Sequence, residues 1–344
     1  MRLLALHLSR AAATLLGVVT LLFLLFGLLG DPAEQIAGQR ADVATLENIR
    51  TELGLDQPLW QQYLGYLNDL SPLAYLSEAA RQTGNYRYLP LVGGLVLKAP
   101  YLRHSYQSGR PILALYLERL PGTALLALTA LAFAALVGIG LGTLAGTRPG
   151  SWWDRALGLV SLVGISAPSF FVAILAIWVF SASLGWLPSS GYIREPDLFS
   201  MGYHWQWRLL ILPALTLGIR PLAILFQISR DSMIETLRQP YIRTARAKGL
   251  SPMRVVLRHA LPNSLNPVLT SLTGWLASLL AGTFFIEYIF HWQGIGKLTI
   301  DALLTNDYPL LLGSALCTSV LFIAINEGVD VLYTRLDPRI RLRK

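Results

Sequence analysis

The chain has 344 residues, of which 53% are apolar and only 14% charged, against about 25% charged in an ordinary soluble domain. A mean hydropathy of +0.49 excludes a typical water-soluble globule, and the net charge of +8 has to be explained by where its cations lie. Cys317 is alone, so neither an internal disulfide nor a cysteine metal cluster can form.

Charge-poor apolar runs divide the chain into six expected membrane spans, at residues 11–30, 121–146, 156–184, 209–230, 264–285 and 308–330. Each is near the ~20 residues that a helix needs to cross a bilayer. The first run follows Arg2 and Arg10 and continues into Asp31-Pro32-Ala33-Glu34. It is longer than a signal h-region and has no small-x-small cleavage site after it, so a retained span is expected. Residues 31–119 form one long polar segment. In it, Asp42–Leu53 reads as a short amphipathic helix. A second helix is expected to begin at Pro58, with Leu59, Tyr63, Tyr66 and Leu67 on its apolar face. Pro168, Pro221 and Pro267 inside the runs do not exclude helices in lipid. Gly138, Gly142 and Gly146 repeat at four-residue spacing, which permits close helix contact.

The cations settle the orientation. With the N-terminus inside, the inner short segments hold sixteen Lys and Arg residues: Arg2 and Arg10, Arg148 and Arg155, seven from Arg230 to Arg258, and five from Arg335 to Lys344. The short outer segments hold Arg194, Arg208 and Lys297. Both termini are therefore expected in the cytoplasm, by the rule that short inner loops collect Lys and Arg. The positive charge belongs to a membrane surface, not to a nucleic-acid groove. Trp152, Trp153, Trp186, Trp205 and Trp207 fall at expected span ends, where aromatic belts form.

One inner segment, residues 239–262, has the grammar of two short helices with a break. Gly249 is placed to end the first, while Ser251 and Pro252 are placed to cap and start the second. Met253, Val256, Leu257, Ala260 and Leu261 follow helical spacing as an apolar stripe, with Arg254 and Arg258 on another face. Amphipathicity alone fits an interfacial helix on anionic lipid as well as a docking helix.

The same segment resembles the EAA loop of bacterial ABC importer permeases, whose pattern is Glu-Ala-Ala, three residues, Gly, nine residues, Ile-x-Leu-Pro. Thr244 and Ala245 take the Ala-Ala places, Gly249 the glycine, His259 the Ile place, and Leu261-Pro262 the ending. Arg243 stands where the general family has Glu. The run Arg243-Thr244-Ala245-Arg246-Ala247-Lys248-Gly249 looks like the oligopeptide, dipeptide and nickel permease branch. Further pieces resemble that branch in order: Leu53-Gly54-Leu55-Asp56, Arg119-Leu120-Pro121-Gly122-Thr123, Gly164-Ile165-Ser166-Ala167-Pro168, Glu287-Tyr288-Ile289-Phe290, Asn306-Asp307-Tyr308-Pro309 and Leu336-Asp337-Pro338-Arg339. Gln293 departs from the proline usual there, and residues 71–109 look longer than usual.

The resemblance, to the dipeptide-permease B type, implies an all-α six-span bundle of the type I importer kind with an extracytoplasmic insertion between spans one and two. It implies that Arg243, Thr244, Ala245, Ala247, Gly249, His259, Leu261 and Pro262 belong to a loop that couples to an ATPase. The implied partners are a second permease subunit, two ABC ATPase subunits and an extracytoplasmic substrate-binding protein, in the bacterial inner membrane. Peptides are the implied substrate, with nickel chelates or another small solute as alternatives.

The chain has no Gly-x-x-x-x-Gly-Lys-Ser/Thr loop; Gly294-Ile295-Gly296-Lys297-Leu298 is the nearest fragment. It cannot hold ATP phosphates in that way, so no cofactor and no catalytic residue are expected in it. An autonomous channel or ion-coupled carrier is the competing class. Arg220, beside Pro221, is the one charge well inside a span. Mid-membrane charge is costly and faces a cavity or a partner, which makes Arg220 a candidate for the translocation path.

Overall fold

The computed structural model describes residues 2–27, 33, 47, 50–51, 56–75, 88–90, 95–191, 194–196, 203–281 and 283–336. The expected helix at Asp42–Leu53 falls almost wholly outside the described residues, as do the motif around Leu53 and the terminal stretch from Asp337. The chain forms two units, Met1–Glu118 with Leu298–Val320, and Arg119–Lys297 with Leu321–Lys344.

The first unit contains α1 (Arg2–Gly27), α2 (Leu59–Leu70), and the strands β1 (Leu73–Tyr75), β2 (Tyr88–Pro90) and β3 (Leu95–Lys98). Val19 of α1, Tyr66 of α2 and Leu316 share one small core, with Phe23, Tyr63 and Leu67 packed on it. Tyr63 exchanges a 2.6 Å hydrogen bond with Thr20. Leu59, expected on the apolar face, is exposed, and Leu70 joins the core instead. α2 starts after Pro58 and not at it; Leu59, its first residue, is in phase with Tyr63, Tyr66 and Leu70 but stands at the helix end, beyond the core that those three join. Burial pushes the Tyr66 phenol up to about 12.

The chain is mostly helical, but two small sheets depart from the all-α expectation. The strands order as β1-β3-β2, all antiparallel, with Leu73 opposite Leu97 and Leu89 opposite Leu97 on the other side. Along β3, burial alternates, with Val96 and Lys98 inward, as a strand with period two requires. A second pair, β4 (Arg194–Pro196) with β5 (Tyr203–Trp205), is also antiparallel.

α3 (Ile112–Thr147) and α6 (Arg208–Leu237) are long enough and apolar enough to cross a membrane, as is residue range Tyr308–Val329 of α13 (Tyr308–Leu336). The expected third span is not one straight helix. α4 (Trp152–Ser166) and α5 (Ser169–Ala176, prolonged by a π-helix Ile177–Ser183) meet at a 107° bend. Ala167 adopts φ −69° and ψ 130°, the extended conformation that a following proline imposes. The pair would pass together as one span. The expected first span corresponds to α1, with a shorter apolar stretch at Ser9–Leu24. The expected fifth corresponds to the 16-residue α10 (Asn266–Ala281), which is followed by a break and α11 (Phe284–Ile289).

In the second unit, α3 and α6 touch along a seam of glycines. A Cβ added at Gly138, Gly142 or Gly146 of α3 would lie 2.8, 2.5 or 2.7 Å from the carbonyl oxygens of Leu222, Phe226 and Arg230. Gly218 of α6 meets the Ala130 oxygen of α3 in the same way, at 2.8 Å. The partner numbers rise together, so the two helices run parallel. Small residues on one face are what allow such approach in a bundle. Leu126, Ala130, Leu212, Leu217 and Leu279 form the main core beside the seam. Ala134, Leu225 and Val268 extend it toward α10.

Gly142→Ala should lower the thermal midpoint of the purified protein, since overpacking a tight contact costs about 1–3 kcal/mol. Gly140→Ala, two residues away where a Cβ meets nothing within 4 Å, should leave it unchanged. Equal behaviour of the two variants would contradict the seam.

Candidate functional site

Residues 239–262 form a small subdomain at the end of α6. Gln239 is extended and Pro240 opens α7 (Pro240–Ala247), where a proline loses no helical hydrogen bond. The helix is closed by a paired C-terminal motif: Gly249 N–H donates to Arg246 O at 2.9 Å and Leu250 N–H donates to Ala245 O at 3.4 Å. Gly249 has φ +78°, the left-handed conformation for which glycine is suited. Ser251 is extended and starts α8 (Pro252–Arg254), but its side chain makes no capping bond. Only its carbonyl does, accepting from Val255 N–H at 3.0 Å.

The expected apolar stripe on the second helix is corrected by its geometry. α8 passes into a π-helix at Val255–Ala260 and then into α9 (Leu261–Ser264). A π-turn has an i to i+5 repeat, so Val255 and Ala260 face the same way. Both are buried, in a core with Met233, Ile242 and Ala245. Val256 and Leu261 pack at its edge, whereas Met253 and Leu257 of the expected stripe are 69% and 50% exposed.

Of the residues singled out from sequence, Ala245 and Leu261 point into or against this core, and His259 is half-buried. Arg243, Thr244, Ala247, Gly249 and Pro262 are exposed. The outer surface therefore carries three large apolar side chains, Tyr241, Met253 and Leu257, among the exposed cations Arg243, Arg246, Lys248, Arg254 and Arg258. Apolar anchors within a charged rim are the anatomy of a protein-docking surface. Among the described residues, no group of three His, Cys, Asp or Glu could hold a metal ion. Arg220 lies elsewhere, exposed on α6 within its apolar stretch, and makes no ion pair among the described residues.

The subdomain is tied to the helices through the end of α6. Met233 belongs to its core, and the Met233 side chain also abuts Gly146 of α3, 2.8 Å from where a Cβ would stand. One turn earlier, Arg230 grips Asp154 of α4 with both arms of its guanidinium, the Nη2 to Oδ2 bond being 2.9 Å. Asp154 is buried at the start of α4. There its N–H donates to Ser151 Oγ at 3.2 Å and its Oδ2 accepts from Gly150 N–H at 2.8 Å. The guanidinium supplies the counter-charge that lets a carboxylate stay buried at this helix start. Sequence reading passed over this pair, although Ser151-x-x-Asp154 has the spacing of a capping box.

A second buried carboxylate closes the other end of the unit. Glu287 of α11 is fully buried. Its Oε1 accepts from the hydroxyls of Thr123, at 2.6 Å, and of Thr283. Its Oε2 accepts from Lys297 N–H at 3.0 Å. Thr123 Oγ1 in turn accepts from Ile295 N–H at 2.8 Å, and Trp292 Nε1 donates to Gly122 O at 2.8 Å. A Cβ on Gly122 would stand 2.1 Å from Gln293 O. Burial pushes the Glu287 carboxyl up, while these donors pull the other way. Each of these partners donates to a Glu287 oxygen, so the site is built around the acceptor capacity of both carboxyl oxygens. The sequence pieces around Thr123 and Glu287 thus form one knot.

Glu287→Gln turns an acceptor oxygen into an NH2 that faces other donors, at a cost of about 1–3 kcal/mol. Thermal unfolding of the purified variant should show a lower midpoint. An unchanged midpoint would contradict the acceptor role of both Glu287 oxygens.

Comparison with known proteins agrees with this architecture. Residues 138–342 match the family described as binding-protein-dependent transport system inner membrane component, and residues 1–127 match the N-terminal family of the same membrane components. The di/tripeptide transport system permease protein DppB of Pseudomonas aeruginosa (strain UCBPP-PA14) is 39% identical over 346 residues, covering 95% of each chain. The glutathione transport system permease protein GsiC of Escherichia coli O6:H1 is 36% identical over 331 residues, covering 96% of this chain and 95% of that one. A structure of the MetNI methionine ABC transporter in an inward-facing conformation aligns with a TM-score of 0.53 at 16% identity. It covers 65% of this chain and 97% of the other, and so speaks to fold alone. The chain belongs to the family of inner-membrane components of binding-protein-dependent transport systems.

Proposed function

We propose that this chain is one of two permease subunits of an ATP-binding-cassette importer that carries peptides across the inner membrane. One observation carries the reading: the subdomain at residues 239–262 has its own core, a cationic rim and exposed Tyr241, Met253 and Leu257, on the end of a helix long enough to span a membrane. In this reading the surface receives an ATPase subunit, which supplies the hydrolysis that this chain does not perform. The peptide substrate is supported by the names of the relatives, di/tripeptide and glutathione permeases.

The finer arrangement belongs to the same proposal. Six spans, built from α1, α3, the bent α4–α5 pair, α6, α10 and α13, leave both termini and residues 239–262 in the cytoplasm. Residues 31–119 lie outside, where a substrate-binding protein delivers its cargo. A second, homologous permease completes the pore, and two ATPases complete the complex. When the ATPases close, residues 239–262 move with them. α6 passes the movement to α3 along the glycine seam and to α4 through the Arg230–Asp154 pair. Arg220 faces the pore between the two permeases, where its guanidinium meets a peptide carboxylate; a lipid-facing arginine at that depth would be too costly to retain.

Uptake of a labelled dipeptide into proteoliposomes tests the reading. Transport should require this chain, the second permease, the ATPases, ATP and the binding protein together. Arg220→Gln should assemble normally and transport more slowly. Transport by this chain alone, without ATP, would overturn the proposal in favour of an autonomous channel or carrier.

A further inference from the structure

Two cavities on the second unit are used neither by the docking surface nor by the Glu287 knot. The first, of about 380 Å3, is apolar and runs between α4 and α6, with Leu157, Val160 and Gly164 on one wall and Ile219, Ala223 and Phe226 on the other. At Ser161 and Phe226 it meets a second cavity of about 280 Å3, whose walls include Asp154, Arg155, Gln227, Arg230 and Asp231. We infer that the two together hold one membrane phospholipid, its acyl chain in the apolar cavity and its phosphate-bearing head in the polar one. The inference rests on reading α4 and α6 as membrane-spanning and goes beyond the transport role.

Length supports this occupant. From Leu157 to Ala167 the apolar wall follows α4 for about 15 Å at 1.5 Å per residue, which is the depth of one leaflet of a hydrocarbon core about 30 Å thick. Polarity supports it as well. The lining is sorted along the helix axes, apolar from Ile219 to Phe226 and charged at Arg230 and Asp231, and an amphiphile is sorted in the same order. The polar end also lies at an interface. Trp152 and Trp153 stack at a centroid distance of 3.9 Å beside it and are largely exposed, as aromatic side chains are at headgroup level.

Charge assigns the phosphate contact. Arg230 is committed to Asp154 and to Asp231, the latter at 2.7 Å. Arg155 lines the polar cavity, is exposed, and makes no ion pair among the described residues. It is therefore the cation for the phosphodiester. A peptide does not fit the apolar cavity, whose walls offer its backbone almost no hydrogen-bonding partner; unsatisfied peptide groups in such a place are strongly disfavoured. Val160 and Val163, each 68% exposed, stand at the open side, where a lipid chain would cover them. A lipid held there would fill the gap between α4 and α6 on the membrane side of the Arg230–Asp154 pair.

The test uses the full transporter in nanodiscs that contain phosphatidylethanolamine with a photoactivatable group on one acyl chain. After irradiation, adducts should concentrate on Leu157–Val172 and Ile219–Phe226. Val160→Trp, which fills the open side of the cavity, and Arg155→Glu, which repels the phosphate, should each lose most of that adduct. Because the Arg155 side chain is exposed, the second variant stays informative even if the first disturbs folding. Adducts spread evenly over all apolar helices would overturn the proposal. So would enrichment that survives both substitutions, or cross-linking of a photoactivatable residue at Val160 to the second permease in place of lipid. No lipid adduct anywhere on the chain would reject the membrane-spanning reading along with it.

Discussion

Backbone contact between α3 and α6 is the constraint on which the second unit depends. In lipid, helices gain little from apolar burial against one another, and close packing must hold them together. Gly138, Gly142 and Gly146 bring the α3 backbone against three successive turns of α6, and Gly218 reciprocates from the other side. The seam fixes α6 along about three turns. Everything attached to its far end, Arg230, Met233 and the 239–262 subdomain, inherits that position.

The two buried carboxylates do complementary work at the ends of this unit. Asp154 is paired with a cation, Arg230. Glu287 is satisfied by hydroxyl and amide donors instead. Both fix loops that would otherwise have several ways to leave a helix end: Gly150 to Ser151 before α4, and Trp292 to Lys297 after α11. A third buried carboxylate, Asp307 in the first unit, does the same for the start of α13. It accepts from Ser105 Oγ at 2.5 Å, from Tyr106 N–H at 3.1 Å, and from Leu310 N–H at 3.3 Å at the helix start. These three buried acids each hold a joint between elements.

Much of this was legible in the sequence, for physical reasons. Apolar runs mark helices at their expected places because hydropathy and length are set by the bilayer. The break at Gly249 was legible because few residues besides glycine suit φ +78°. The glycine repeat announced close contact but not its partner, since spacing on one helix says nothing about which helix faces it. The apolar stripe through Met253 and Leu257 was misread because the periodicity assumed one continuous α-helix, whereas the π-turn at Val255–Ala260 buries Val255 and Ala260 and leaves Met253 and Leu257 exposed. The 107° bend at Pro168 was likewise hidden, because proline in an apolar run is compatible with both a kink and a full break. The small sheets escaped notice because strands of three and four residues leave too short an alternation to read. Thr123 and Glu287 stood out only as members of a pattern; their hydrogen bonds join positions far apart in the chain.

The central claim is that residues 239–262 receive an ATPase through the exposed side chains of Tyr241, Met253 and Leu257. A photo-crosslinking amino acid placed at Met253 in the intact transporter tests it most directly, with the same group at Leu136, 77% exposed on α3, as the comparison. The account predicts an adduct with the ATPase subunit from position 253 and none from position 136. No ATPase adduct at 253, or equal adducts at both positions, would contradict it.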